Sequence, residues 1–377
     1  MTETSTDAPV LFEERPARDG YRVGILTLNA PKALNALSQT MIDQLRPQLT
    51  AWREDPGLAC VVMRGAGEKA FCAGGDIVEI YRAMREHPGG PNPLAERFFE
   101  TEYRLDYLLH MYPKPIVLWG NGIVMGGGLG LMAGASHRVV TETSRIAMPE
   151  VGIGLYPDVG ATWFLNRMPG RVGLYLGLTG SQINGADALF VGLGDYFIQT
   201  EHHGALLAAL TEVDWEDDAE ANQGHCSVLL REFADRSRAA LPDSPVRQHL
   251  DLINHVVDNH SVTAILAALR AADQDDRWIR RGTETLSRGS PTSARLVLEQ
   301  YRRGRYLSLK EAFMQEWVMS IQCTRHHDFA EGIRALLIDK DQAPRWQPDS
   351  PEEVDMALVE AHFTLPADYP GNPLADL

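Results

Sequence analysis

Two short apolar runs, each followed by a glycine-containing segment, constrain the fold of this 377-residue chain most strongly. Cys60 to Met63 precede a segment that contains Gly74-Gly75, and Pro115 to Trp119 precede Gly126-Gly127-Gly128. Apolar runs of this length are typical of buried strands, and a helical pattern follows each glycine segment. Repeated units of strand, loop and helix predict an α/β architecture, in which ligands meet the loops at the strand ends.

Further elements extend this alternation towards the amino terminus. Tyr21 to Leu28 is rich in apolar and β-branched residues and ends at a turn-prone Asn-Ala-Pro sequence, which predicts a strand. Ser38 then stands where a helix N-cap is expected. The apolar residues behind it are spaced to share one helical face: Met41, Ile42, Leu45, Leu49 and Trp52.

The pattern changes near residue 200, where long polar helical stretches replace the alternation of strands and helices. We therefore predict two regions. Residues 1–200 form an α/β core that carries the functional loops, and residues 201–377 form a mainly helical region that covers the site. No internal repeat or low-complexity linker interrupts the sequence.

The net charge of −16 and the isoelectric point near 5.2 exclude several classes of partner. Nucleic acids and anionic membranes need clustered Lys and Arg, so neither is an expected partner. No run of about twenty apolar residues predicts a membrane span. The acidic amino terminus and the four scattered cysteines favour a reducing cytoplasm. The oligomeric state is not readable from the sequence, and a homo-oligomer remains compatible with it.

The glycine segments carry the first chemical indication. We interpret the triplet Gly126 to Gly128 as a turn and Leu129 to Ala135 as a helix of small residues. Free amides and the positive end of the helix dipole are therefore expected at the triplet. The segment around Gly74-Gly75 also exposes backbone N–H groups, because small residues let a ligand approach. Two such donors can stabilise one oxyanion.

Two carboxylates follow on a segment shaped by proline and glycine. Glu150 lies in a Met-Pro-Glu sequence and Asp158 lies in Tyr-Pro-Asp-Val-Gly, which together supply groups for acid and base chemistry. Either residue alone is more often a helix cap or a surface charge. The stretch Gly128 to Ala133 also fits a dinucleotide fingerprint, but no acidic residue follows about twenty positions later at the end of a second strand. Neither H-E-x-x-H nor G-x-S-x-G occurs, so neither a metal nor a serine nucleophile is expected.

In this order, the segments resemble the crotonase (enoyl-CoA hydratase/isomerase) superfamily, whose early motif L-N-x-P-x-x-x-N-A-L matches Leu28 to Leu37. The resemblance implies a crotonase-type ββα spiral core with a mainly helical carboxy-terminal region. It implies that the amides of Gly75 and Gly127 form an oxyanion hole for a thioester carbonyl. The loop Ala70 to Asp76 would receive adenine through backbone groups, and the contacts that we expect there are Ala73, Gly74 and Asp76.

Within that superfamily, the chain looks like the 3-hydroxyisobutyryl-CoA hydrolase branch. A hydratase has a glutamate on the helix after the glycine triplet, where this chain has Gly130, so only Glu150 remains of the usual pair. By the same resemblance, Asp158 is the second carboxylate of the branch and Glu102 reaches the substrate hydroxyl. Ala161 stands where the branch has another glycine. Other segments share the likeness: Phe98 to Tyr103, Gly289 to Ser293 and His327 to Ala335.

The resemblance therefore implies hydrolysis of the 3-hydroxyisobutyryl-CoA thioester in valine breakdown. The coenzyme A is part of the substrate, and no separate cofactor is expected. Lys32 and Lys340 are candidates for its phosphates. Glu150 either attacks the carbonyl, which gives a mixed anhydride, or activates water. We favour the anhydride as a working hypothesis. The alternatives are a hydratase or isomerase that uses Glu150 alone, and a non-catalytic acyl-CoA-binding protein.

Overall fold

The computed structural model describes residues 8–272 and 276–377. The first seven residues, on which part of the compartment prediction depends, lie outside the described residues. The chain forms two compact units, each assembled from three segments. The first unit comprises residues 1–75, 105–146 and 183–244, and the second comprises residues 76–104, 147–182 and 245–377. In the described part of the chain, no helix is long and apolar enough to cross a membrane.

The described residues form nine strands: β1 (Val10–Pro16), β2 (Arg22–Leu28), β3 (Leu58–Gly65), β4 (Ala70–Cys72), β5 (Ile116–Gly120), β6 (Ile123–Met125), β7 (His137–Val140), β8 (Arg145–Ala147) and β9 (Tyr196–Phe197). Six of them form one sheet in the order β1-β2-β3-β5-β7-β9, in which every pairing is parallel except that of β1 with β2. The central strands are buried along nearly their whole length. Their continuous apolar sequence is what a parallel sheet covered on both faces requires.

In chain order, the helices of the described residues begin with α1 (Gln39–Glu54), α2 (Val78–Glu86), α3 (Pro93–His110), α4 (Gly127–Gly134), α5 (Ala161–Phe164), α6 (Val172–Thr179), α7 (Gly185–Val191), α8 (His203–Thr211) and α9 (Ala219–Ser237). Those that follow are α10 (Pro245–Gln248), α11 (Leu250–Val256), α12 (Val262–Ala271), α13 (Arg277–Arg288), α14 (Pro291–Arg303), α15 (Leu309–Arg325), α16 (His327–Ile333) and α17 (Met356–His362). Beyond residue 200 the described residues contain no strand, so the prediction of a mainly helical second half is confirmed.

The predicted cap of the first helix is present. The Ser38 side chain accepts a hydrogen bond from the Met41 amide, and the five residues predicted to share one face of α1 are all buried. Trp52 at the end of that face lies against Gly24 of β2, where a Cβ atom would come within 3.1 Å of the indole ring. Because Gly24 has no side chain, the Trp52 ring can pack directly against the backbone of β2.

Helices α8 and α9 complete the core of the first unit. Apolar side chains from both helices join the buried strand residues in one cluster, which includes Leu206, Leu210, Leu230 and Phe233. The compact units therefore do not follow the predicted boundary near residue 200. The reason is that residues beyond this point supply the cover for the strands of the first unit.

The strands β4, β6 and β8 form a second, three-stranded sheet. Strand β6 corrects the prediction for the second glycine segment, because helix α4 begins at Gly127 rather than after the triplet. Gly126, at φ 48° and ψ −126°, makes the turn by itself. A single residue with positive φ thus connects β6 to α4, which glycine does without steric cost.

The contacts of Asn35 explain the second asparagine of the motif Leu28 to Leu37. The residue is buried at φ 56°, and its side-chain oxygen accepts a hydrogen bond from the Ala30 amide at 3.0 Å. Its side-chain nitrogen donates to the carbonyl oxygens of Ala66 and Ala70, at 3.0 and 2.9 Å. Asn35 thereby joins the loop after β2 to the connection between β3 and β4. Asparagine also tolerates the left-handed backbone region better than most residues.

We expect Asn35→Ala to lower the free energy of unfolding by about 3 kcal/mol, because one buried and two half-buried backbone groups lose their partner and alanine is strained at positive φ. Urea unfolding followed by circular dichroism measures this change. Asn259→Ala, which removes one side-chain bond to the Val256 carbonyl, is the control and should cost about 1 kcal/mol. Equal losses in the two variants would contradict the assigned role of Asn35.

Candidate active site

The two glycine segments of the first unit lie at the ends of neighbouring strands. Strand β4 pairs with β6 in parallel, so both strands lead into their glycines at the same edge of the small sheet. A Cβ atom at Gly74 would lie 3.4 Å from the Met125 carbonyl oxygen, and one at Gly128 would lie 2.4 Å from the Cys72 carbonyl oxygen. The second distance is too short for any side chain. Glycine is therefore required for this contact between the two backbones.

The predicted oxyanion donors Gly75 and Gly127 both belong to this edge. Gly127 is the first residue of α4, so its amide lies at the positive end of the helix dipole. Gly75 pairs with Leu37 in an isolated parallel β-bridge. The hydrogen bond of this pair runs from the Leu37 amide to the Gly74 carbonyl at 2.8 Å, so it does not use the Gly75 amide. Among the described residues, neither the Gly75 amide nor the Gly127 amide is bonded to another protein group. Both amides can therefore donate to a ligand oxygen.

The predicted coenzyme A contacts have different surroundings. The Ala73 amide already donates to the Leu34 carbonyl at 3.1 Å, whereas Gly74 is buried at φ 111°. Asp76 and Lys32 are exposed, as phosphate or adenine contacts need to be. Lys340 is exposed in the second unit at φ 57°. These contacts stay predictions.

Three carboxylates meet inside the second unit. Glu102 lies on α3, Glu150 begins a 3-10 helix that ends at Ile153, and Asp158 lies in the loop before α5. They are only 3%, 5% and 5% exposed. In the described part of the chain, none of the three forms an ion pair with Lys, Arg or His. The structure thus brings together three acidic side chains that the sequence predicts for the site.

Burial raises the pKa of all three carboxyl groups, and repulsion from neighbouring acids adds to this for Glu102 and Glu150. Burial is the main cause for Glu150 and Glu102, and the charge of Asp158 raises the pKa of each further. Burial raises the pKa of Asp158 to about 6, against the opposing effect of a hydrogen bond from Tyr103. One oxygen of Glu102 and one of Glu150 are buried without a hydrogen-bond partner in the described structure. Such groups are available to bind a polar ligand or to exchange a proton.

Asp158 is held by a network of hydroxyl groups that the sequence analysis missed. The Tyr103 hydroxyl donates to Asp158 Oδ2 at 2.6 Å and contacts Ser320 Oγ at 2.7 Å. Ser320 also contacts the Tyr156 hydroxyl at 2.8 Å. Tyr103 follows Glu102 directly, and that adjacency is the one signal in the sequence. Ser320 lies far along the chain, and no pattern indicates it.

This arrangement suits proton transfer and nucleophilic attack. Carboxyl groups with raised pKa exchange protons near neutral pH, and a desolvated carboxylate is a stronger base and nucleophile than one in water. Among the described residues, no group of three or more His, Cys, Asp or Glu side chains has the geometry to hold a metal ion.

Comparison with known proteins places the chain in a family. Residues 23–363 match the family model described as enoyl-CoA hydratase/isomerase, and the chain belongs to that family. A crystal structure of a carnitinyl-CoA dehydratase from Mycobacterium thermoresistibile is 36% identical, with a TM-score of 0.83, and the match covers 98% of this chain and 100% of that chain. The crystal structure of an enoyl-CoA hydratase from Rhodobacter sphaeroides 2.4.1 is 35% identical, with a TM-score of 0.81 over 95% and 97% of the two chains. The predicted crotonase-type fold is confirmed.

Its curated relatives include 3-hydroxyisobutyryl-CoA hydrolases. The mitochondrial enzyme of Danio rerio is 39% identical, and the match covers 97% of this chain and 91% of that protein. 3-Hydroxyisobutyryl-CoA hydrolase 1 of Arabidopsis thaliana is 37% identical over 96% of this chain and 93% of that protein. Proteins of the branch that the sequence motifs indicate are thus similar to this chain along nearly its whole length.

We expect Tyr103→Phe to raise the pKa of Asp158 above about 6, because the phenol hydrogen bond stabilises the charged carboxylate. The carboxyl-carbon resonance of Asp158, assigned with Asp158→Asn in protein labelled at aspartate, reports the titration. Tyr156→Phe is the control, since the Tyr156 hydroxyl bonds to Ser320 and to the Glu316 carbonyl. An unchanged or lowered Asp158 pKa in Tyr103→Phe would contradict the assignment.

Proposed function

We propose that this enzyme hydrolyses the thioester of 3-hydroxyisobutyryl-CoA to the free hydroxy acid and coenzyme A. The observation that carries the proposal is the group of three buried carboxylates, Glu102, Glu150 and Asp158, two of which have an unpartnered oxygen. The names of the relatives from Danio rerio and Arabidopsis thaliana support the same substrate.

Hydrolysis of a thioester places negative charge on the carbonyl oxygen. The amides of Gly75 and Gly127 would stabilise this charge, and each well-placed donor lowers the barrier by roughly 3 kcal/mol. In the route that we favour, a Glu150 oxygen attacks the carbonyl carbon, the C–S bond breaks, and the thiolate leaves and takes up a proton. The resulting mixed anhydride is cleaved by water, which supplies the second oxygen and the protons. In the alternative route, Glu150 removes a proton from the attacking water.

The other two carboxylates would bind the substrate hydroxyl and position water. The unpartnered oxygen of Glu102 is a suitable acceptor for a hydroxyl group on the acyl chain. Asp158 is fixed by Tyr103 and would bind the same hydroxyl or hold the water of the second step. A substrate that lacks the methyl branch keeps both contacts and loses only about 1 to 3 kcal/mol of transition-state binding. We therefore expect 3-hydroxypropionyl-CoA to react as well.

The proposal also includes the cellular compartment and the oligomeric state of the protein. We expect a cytoplasmic enzyme, although the relative from Danio rerio is named mitochondrial. A homo-oligomer is compatible with the chain. Lys32 and Lys340 stay our candidates for contacts with the coenzyme A phosphates. Residues 201–377 stay our candidate for the helical region that covers the site.

A second candidate function is addition of water to an enoyl thioester or its reversal. The two crystal structures named above are of a dehydratase and a hydratase, which favours this alternative. Against it stands Gly130, buried in α4 at the position where the resemblance leads us to expect the second glutamate of a hydratase. With Glu150 as the single glutamate of that pair, we rank hydration below hydrolysis.

We expect wild-type protein to release free thiol rapidly from 3-hydroxyisobutyryl-CoA and not from crotonyl-CoA. Glu150→Gln should reduce thiol release by at least about 1000-fold and preserve binding, because the amide can neither attack nor accept the proton. Glu284→Gln, at an exposed position on α13, is the matched control and should keep full activity. Thiol release is measured with a chromogenic disulfide, and binding by calorimetry.

The same assay distinguishes the alternatives. Loss of the crotonyl-CoA absorbance without thiol release would make the protein a hydratase and would overturn the hydrolase proposal. Binding of the acyl-CoA without any turnover in the wild type would instead identify a non-catalytic acyl-CoA-binding protein.

The anhydride route predicts that borohydride, added during turnover, reduces the Glu150 side chain to an alcohol, because an activated carbonyl is reducible and a free carboxylate is not. Peptide mass spectrometry of rapidly quenched samples detects the product. Protein treated without substrate and the Glu150→Gln variant are the controls. Thiol release with Glu150 unmodified at every quench time would favour activation of water by Glu150.

A further inference from the structure

We infer that Glu316 is a positioning residue that holds the Asp158 loop in its working conformation, an inference that rests on the function proposed above. Glu316 lies in the middle of α15 and is fully buried, at 0% exposure. Neither its position in the sequence nor the family resemblance assigns it a role.

Both carboxyl oxygens of Glu316 bind the backbone just after Asp158. Oε2 accepts a hydrogen bond from the Gly160 amide at 2.7 Å, and Oε1 accepts one from the Thr162 amide at 2.8 Å. These amides lie at the start of α5, where the first N–H groups have no partner within the helix. Glu316 of α15 thus caps the amino terminus of α5. Helix α5 has only four residues and is too short to be stable by itself.

The backbone held in this way is strained. Val159, between Asp158 and Gly160, has φ 55°, a value that is rare for a β-branched residue. Such a conformation is unfavourable and persists only when the surroundings enforce it. Gln300 of α14 contributes from the other side, where its side-chain nitrogen donates to the Pro157 carbonyl at 2.6 Å and to Thr162 Oγ1 at 2.8 Å. The strained residue therefore lies between two side-chain anchors.

Helix α15 fixes Asp158 through a second contact. Ser320, one turn after Glu316, bonds to the Tyr103 hydroxyl that donates to Asp158. The Tyr156 hydroxyl donates to the Glu316 backbone carbonyl at 2.6 Å. One helix thus sets both the backbone of the Asp158 loop and the hydroxyl partner of the Asp158 side chain.

A purely stabilising role does not account for a carboxylate at this position. Burial raises the pKa of Glu316 to about 8, against the two amide donors, which shows that its surroundings disfavour the charge. Among the described residues, no cation pairs with it. A buried acidic group of this kind contributes little to stability compared with an apolar residue of similar volume. What it provides is two acceptors with a fixed spacing.

The test combines a local and a catalytic measurement in Glu316→Gln, which keeps the shape and replaces one acceptor by a donor. Hydrogen–deuterium exchange in peptides that cover residues 157–164 should rise, and kcat/KM for thiol release should fall about 100-fold, as expected for a displacement of about 1 Å. Gln300→Leu should change both in the same direction, and it remains informative if Glu316→Gln does not fold.

The matched control is Gln322→Ala on the same helix. Gln322 is similarly buried and donates to the Thr364 carbonyl at 2.8 Å, so its loss lowers stability without touching the Asp158 loop. A fall in melting temperature in Glu316→Gln with kcat/KM and local exchange like those of the control would overturn the inference. If wild-type protein releases no thiol, the proposed function fails, and the exchange of residues 157–164 alone decides whether Glu316 holds the loop.

Discussion

The burial of several carboxyl groups in one region of the second unit, with no cation paired to them among the described residues, is the constraint on which the site depends. An isolated charge in such a place costs several kcal/mol, so each group must either be protonated or receive hydrogen bonds. Asp158 receives one from Tyr103, and Glu316 receives two from backbone amides. Glu102 and Glu150 each keep an unpartnered oxygen, and they are the groups that we propose contact the substrate.

The same constraint explains why Asp158 and its loop are held by a network of hydrogen bonds. A carboxylate holds a defined position only when the atoms around it cannot relax, and buried polar networks give this rigidity only when nearly every member has a partner. Tyr103, Tyr156 and Ser320 satisfy one another, and Gln300 fixes the backbone before the strained Val159. The packing of the surrounding helices offsets the strain at Val159. The resulting rigidity keeps the loop between these helices in one conformation.

Features that depend on local chemistry could be predicted from the sequence. The Ser38 cap, the buried face of α1 and the strand from Arg22 to Leu28 follow from residue type and spacing. The short strands β4 and β6 could not be predicted, because three residues carry no periodicity and their pairing is set by distant segments. The start of α4 was placed too late, since a glycine triplet resembles a turn until its neighbours are known. Tyr103, Ser320 and Glu316 were missed because long-range contacts alone define their roles.

The two kinds of group proposed for catalysis differ in how they achieve specificity. Backbone amides such as those of Gly75 and Gly127 recognise the charge that every thioester reaction develops, and they do not distinguish one acyl chain from another. Buried carboxylates do distinguish them. When a substrate lacks the hydroxyl that would pair with Glu102 or Asp158, a desolvated acceptor remains unsatisfied, and rejection by such a site reaches about 10⁴-fold or more, whereas a missing methyl costs far less. If the proposed function is right, selection for a β-hydroxy acyl group would follow from burying the acids, whereas loss of the methyl branch would be tolerated.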